Sequence, residues 1–209
     1  MLATHAVDTA LEMLGERHAV MATLIAAHGP YTPRRADEPA PFHALCKAII
    51  YQQLAGSAAA AIHGRFQGLI EGPITPERVL ELDPEVIRGA GLSGAKRDAV
   101  RDLAGYAVRG ELDMATLDAL DDDALTRWLC RVRGIGPWTA QMFLLFELGR
   151  LDVWPTADLG VRRGFGHAFR QGEVPSAREL GPMGEPFRPL RSIVAWYCWR
   201  AADAAKSRR

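Results

Sequence analysis

Two stretches of the chain carry residues whose types and spacing could do chemistry. The first is Leu129-Cys130-Arg131-Val132-Arg133-Gly134-Ile135-Gly136-Pro137-Trp138-Thr139-Ala140. A helix is expected to end near Arg131, a tight Gly-Ile-Gly turn to follow, and a new helix to open at Pro137. The two glycines are expected to supply positive φ and to let another backbone approach closely, while Ile135 points inward and pins the turn. The N–H groups opening the second helix form a ready-made anion site. A DNA phosphate suits such a site, and binding it there needs no net positive charge. The competing expectation is an αα-hairpin whose glycines only make the turn. The second stretch is Asp152-Val153-Trp154-Pro155-Thr156-Ala157-Asp158-Leu159-Gly160-Val161-Arg162-Arg163. Asp158 stands at an expected helix N-terminus, where the dipole favours an ionised carboxylate; the alternative is a cap that only closes the helix. Asp152 is the rival carboxylate and is expected to decorate the turn.

Other chemistries are excluded by what is missing. The three cysteines, Cys46, Cys130 and Cys198, form no CxxC pair, which argues against a disulfide framework and fits a reducing cytosol. Three is also one thiolate short of a four-cysteine iron–sulfur cluster, and the scattered histidines lack zinc-ligand spacing. No cofactor is therefore expected. No segment is apolar for long enough to span a membrane, and Asp8 and Glu12 break the N-terminal stretch; a soluble, cytoplasmic chain is expected. With 25 basic and 25 acidic residues the net charge is zero, without the basic excess usual in nucleic-acid binders. Local clusters remain, at Lys96–Arg97–Arg101, Arg131–Arg133, Arg162–Arg163–Arg170 and Arg188–Arg191, away from the acidic run Asp121–Asp123. Taken singly, each cluster also reads as a solvated helix face.

The elements that must position these residues almost all show the helical period. Leu11, Leu14, Met21, Leu24 and Ile25 make one stripe, stopped at Gly29–Pro30. The proline-rich, charged stretch from Tyr31 to Pro41 reads as a linker. Phe42, Leu45 and Ile49 make a second stripe and Ile62, Phe66 and Leu69 a third, with a break near Gly56–Ser57. Thr75–Pro76 and Asp83–Pro84 each place a capping side chain before a first-turn proline. A longer helix follows Ser93, carries Val100, Leu103 and Val108, and closes near Gly110. Asp121–Asp123 opens the stripe Leu125, Trp128, Leu129, Val132. Helices are expected from Pro137, from about Asp158 to Phe169, and from near Pro189 with Leu190, Ile193, Val194 and Tyr197. Only Leu151–Trp154 looks extended.

Taken together, the two chemical stretches closely resemble the helix-hairpin-helix–GPD superfamily of DNA glycosylases. Its members join a hairpin ending in T-A, here Thr139–Ala140, to an aspartate about twenty residues on, followed by D-x-x-V-x-R, here Asp158 to Arg163. Within it the chain is most similar to the 3-methyladenine DNA glycosylase II branch. Phe42-His43-Ala44-Leu45 with Ala48-Ile49-Ile50-Tyr51-Gln52-Gln53-Leu54 resembles that branch's early helix and wedge loop. Gly91-Leu92-Ser93-Gly94-Ala95-Lys96-Arg97 resembles its G-h-x-x-x-K-R turn, and Gly134 to Ala140 its G-I-G-x-W-T-A. The resemblance covers residues 42–200, and the N-terminal domain of longer members has no counterpart, so a compact form is expected.

The resemblance implies roles. Asp158 would be the catalytic carboxylate, stabilising an oxocarbenium-like sugar after the target base is flipped out of the stack. Trp138 stands where lyase-type relatives place a Schiff-base lysine, which implies a monofunctional enzyme; its indole could stack on a cationic alkylated purine or sit in the core. Met142 and Leu190 stand where some relatives have base-pocket aromatics, for which Trp154, Trp196 or Trp199 could substitute. Gln53 would be the wedge filling the gap left by the flipped base, or a surface residue of the turn. Gly134, Gly136 and Thr139 would hold the DNA phosphate. Some relatives hold a monovalent cation on carbonyls of this hairpin, which Cys130, Val132 and Ile135 would supply.

The fold implied is all-α. Residues 43–145 form one helical bundle with the hairpin at about 125–148, residues 1–42 plus 146–209 form a second, discontinuous subdomain carrying Asp158, and an active-site cleft lies between them. The expected partner is double-stranded DNA with a damaged base, bound by a monomer. Excision of oxidised or mismatched bases, a non-catalytic DNA-binding hairpin, and a helical interaction protein without nucleic acid are the competing functions.

Overall fold

The computed structural model describes residues 4–32, 41–111 and 119–207. Among them the chain has twelve α-helices and no strand. It divides into a central unit, Arg35–Phe143, and a terminal unit made of Met1–Arg34 with Leu144–Arg209.

The terminal unit opens with α1 (Thr4–Arg17) and α2 (Ala19–His28), where the apolar spacing predicts one continuous helix. They meet at His18, whose backbone is extended (φ −138°, ψ 102°) and whose ring packs on Phe187 with centroids 4.6 Å apart. The break is invisible to periodicity because Leu14 and Met21, both buried, stay two turns apart across it. Gly29 closes α2 as expected, at φ +75°. Tyr31 is not linker but core, edge-on to Trp196 at 5.5 Å. The rest of the expected linker, residues 33–40, lies outside the described residues.

In the central unit, α3 (Pro41–Tyr51) and α4 (Gly56–Gln67) bury Phe42, Leu45, Ile49 and Phe66. Their facing histidines, His43 and His63, bring Nε2 atoms within 3.0 Å in a buried hydrogen bond. The break expected at Gly56–Ser57 falls earlier, at residues 52–55, because Gly56 already opens α4. Short helices α5 (Pro76–Glu81) and α6 (Pro84–Gly89) begin on the predicted caps: Thr75 Oγ1 accepts the Arg78 N–H and Asp83 Oδ1 the Glu85 N–H. Ser93 caps α7 (Gly94–Val108), on which α3 and α5 pack. Asp121 caps α8 (Asp122–Leu129) through the Ala124 N–H at 2.6 Å. Helix α9 (Pro137–Phe146) starts in this unit and ends in the other.

The terminal unit resumes with α10 (Leu159–Phe169), α11 (Ala177–Met183) and α12 (Arg191–Ser207). Leu151–Trp154, expected to be extended, bends at Leu151 and Asp152 and forms no strand; the start of α12 satisfies its backbone, the Ser192 N–H donating to Leu151 O and the Val153 N–H to Ser192 Oγ. Leu190 precedes α12 rather than opening it. Helices α10 and α12 pack together on glycine. A Cβ on Gly164 would lie 1.7 Å from the Cys198 carbonyl oxygen, so only glycine permits this crossing.

Candidate functional site

The hairpin forms as a sequence of short bonds. Val132 N–H donates to Leu129 O, and Ile135 N–H to Val132 O, each at 3.1 Å; buried Val132 and Ile135 pin the turn from inside. The first bond of the next helix runs from Ala140 N–H to Gly136 O at 3.0 Å. The amides ahead of Ala140 therefore lie outside the ladder, as at any helix start. The two glycines differ from the expectation that both relax the backbone. Gly134 has φ +78° and a Cβ there would be 2.9 Å from Ala99 Cβ, whereas Gly136 has no positive φ and open space where its Cβ would be.

The hairpin is seated from two sides. Behind it, Asp102 Oδ2 of α7 accepts the Arg133 N–H at 2.8 Å. From the residues 52–55 turn, Gln52 Nε2 donates to Gly134 O (2.9 Å) and to Thr139 Oγ1 (3.0 Å). Thr139 is only 7% exposed, so its hydroxyl serves Gln52 and contact with a phosphate would fall to its N–H. Lys96 of α7 donates its Nζ to Ile50 O (2.7 Å) and Gln52 O (2.8 Å), closing the end of α3. Nothing in the spacing singles out Gln52, and the K-R turn and basic cluster that contain Lys96 do not reveal that it closes the end of α3.

In the terminal unit, Asp158 is the N-cap of α10. Its Oδ1 accepts the Val161 N–H at 2.8 Å and the Trp199 Nε1–H at 2.9 Å. Trp199 is stacked on Phe146 (5.6 Å), and it reaches the carboxylate because residue 160 is glycine: a Cβ there would be 2.7 Å from Trp199 Cδ1. Asp158 is thus both a cap and a carboxylate held by a second, distant donor, which a cap does not need. Asp152 is committed elsewhere, to Arg188 (2.6 Å) and Arg191 (2.8 Å).

The remaining predicted residues fall as follows. Trp138 is 44% exposed on the first turn of α9, and Met142, half-buried, follows one turn later on the same face. Leu190 packs against the terminal unit's core. Gln53 is exposed, at φ +56°, beside exposed Leu54. Of the tryptophans offered as substitutes, Trp154 is core, bonded to Leu180 O, and Trp196 is core against Tyr31. Trp199 is the one at the carboxylate. Among the carbonyls named for a cation, that of Val132 already takes the Ile135 N–H, leaving a cation its second lone pair. No group of three or more metal-ligating side chains occurs among the described residues.

Most arginines of the basic clusters are engaged within the protein, by carboxylates or by backbone carbonyls. Arg97 pairs with Glu85 and Asp98, Arg131 with Glu111, Arg133 with Asp98, and Arg170 with Glu173. Arg101 and Arg162 donate to the carbonyls of Leu82 and Pro175. Arg163 is exposed.

The chain is 32% identical to DNA-3-methyladenine glycosylase 1 of Schizosaccharomyces pombe over 87% of its own length and 82% of that protein's. The solved structure of the S. pombe 3-methyladenine DNA glycosylase in complex with abasic DNA superposes with a TM-score of 0.81 at 31% identity, covering 92% of this chain and 95% of that one. A DNA-3-methyladenine glycosidase from Bacillus halodurans superposes with a TM-score of 0.88 at 30% identity, covering 95% and 91%. Residues 46–182 match the HhH-GPD superfamily of base excision DNA repair proteins, and with most of its length accounted for in this way the chain belongs to that superfamily.

Proposed function

We propose that the protein is a monofunctional DNA glycosylase that removes alkylated bases of the 3-methyladenine type. The relatives named above support the reaction and the substrate class. The observation that carries the assignment to residues is the Asp158 carboxylate, fixed at a helix N-terminus by Val161 and Trp199. An alkylated purine is already cationic, so it departs as a neutral base without needing a proton. Charge then builds on the sugar, and one fixed carboxylate suffices to stabilise it while water completes the hydrolysis. The hairpin amides around Gly136 would grip the DNA backbone, and Gln53 would fill the gap left by the flipped nucleotide.

Trp138 supports hydrolysis over lyase chemistry, since an indole cannot form a Schiff base. Trp138 is 44% exposed, and its indole would offer an alkylated base a cation–π contact worth about 0.5–2 kcal/mol. Incubation with methylated DNA tests the reading: 3-methyladenine identified by mass, with abasic sites in unbroken strands, is the expected result. Release of oxidised or mismatched bases instead would move the substrate class, and binding without release would reduce the protein to a DNA-gripping module.

A further inference from the structure

The turn that carries Gln53 is weakly built on its own. Its two internal bonds, Gln52 N–H to Ile49 O and Leu54 N–H to Tyr51 O, are both 3.4 Å, at the long end for such bonds, and Gln53 sits at φ +56°. What holds it is external. Lys96 takes the carbonyls of Ile50 and Gln52, and the Gln52 side-chain amide bonds both Gly134 O and Thr139 Oγ1. The hairpin in turn rests on α7 through Asp102 and Ala99, the helix that also supplies Lys96. Turn, hairpin and α7 therefore form a closed circuit, and Gln52 is the side chain that joins turn to hairpin directly.

We infer that Gln52 is a positioning residue that couples insertion of Gln53 into the base stack to the hairpin's grip on phosphate. Fixing the Gly134 carbonyl sets the peptide plane at the head of the hairpin, and with it the direction of the amides that follow. The same amide fixes the backbone one residue before the wedge. Engagement of either anchor then positions the other, so part of the ordering cost is met once rather than twice. This rests on the wedge and hairpin roles proposed above.

The test is a double-mutant cycle between Gln53→Ala and Gly136→Ala, read as affinity for a duplex containing a tetrahydrofuran abasic analogue. Each single variant should weaken binding, and the double variant should fall short of the product of the two losses by about threefold or more, as for coupled sites. In Gln52→Leu, which lacks the donors, the losses should multiply. Thr139→Val, which keeps the shape and deletes one of the two acceptors, should reduce the coupling in between, and it serves if Gln52→Leu does not fold. Multiplying losses in the native background, or coupling that persists undiminished in both Gln52→Leu and Thr139→Val, would overturn the inference. Normal affinity in either single variant would refute the wedge or hairpin role itself, and the coupling with it.

Discussion

Gly134 and Gly136 are the same residue two positions apart, yet the backbone requires only the first. Gly134→Ala forces a side chain into positive φ and against Ala99, and should cost about 1–2 kcal/mol in urea unfolding. Gly136→Ala meets open space, so its stability should change by less than about 0.5 kcal/mol. Its affinity for abasic DNA should nevertheless drop roughly fivefold, the equivalent of one backbone hydrogen bond of about 1 kcal/mol. A stable Gly136→Ala protein with undiminished affinity would make the hairpin merely a turn. The spacing G-I-G announces a turn, but it does not tell a conformational glycine from one that leaves room. Nor does it reveal Trp199, because the bond to Asp158 spans 41 residues and depends on the missing Cβ of Gly160. Gly160→Ala should therefore slow base release while abasic-DNA binding persists, and unchanged single-turnover release would separate Trp199 from the chemistry.

Helix starts are the most legible elements, because capping is local. Thr75, Asp83, Ser93 and Asp121 each accept an amide of their own first turn. Ser176 and Glu179 form a full capping box at α11, a signal present in the sequence that the apolar pattern alone passes over. What periodicity does not reveal is a break that preserves the stripe, as at His18. It is equally blind to a crossing decided by the absence of a side chain, as at Gly164. Gly164→Ala would drive a methyl into the backbone of α12, and the strain should cost about 3 kcal/mol or more, read as a lowered unfolding midpoint. A variant as stable as the native protein would show that α10 and α12 can separate freely, which their packing denies.

At the scale of the whole molecule, the chain is neutral and most arginines of its basic clusters are paired with its own carboxylates, which leaves few clustered cations for DNA. Counterion release gives a slope near −0.9 per neutralised phosphate, so affinity should fall with salt as for about two to four phosphates. A slope equivalent to some eight phosphates, by the same relation, would mean that a basic surface does the holding. Alkaline stability is tied to Tyr197, buried in α12 with its hydroxyl donating to Gly29 O at 2.8 Å. Burial pushes its pKa up to about 12 from 10. The folded state thus favours the protonated phenol, and this contribution is complete below pH 10 and lost as pH rises through about 12. Between those values the stability gap between native protein and Tyr197→Phe should narrow, by on the order of 2 kcal/mol; a gap that stays constant would contradict the assignment.

The central claim is that Asp158 carries base excision, and single-turnover release of 3-methyladenine from methylated DNA by Asp158→Asn tests it most directly. The substitution keeps the cap's shape and an acceptor for Val161 and Trp199, but removes the charge. Base release should be abolished, while binding to abasic DNA stays equal to that of the native protein or becomes stronger. Release at a near-native rate by the folded variant would contradict the account.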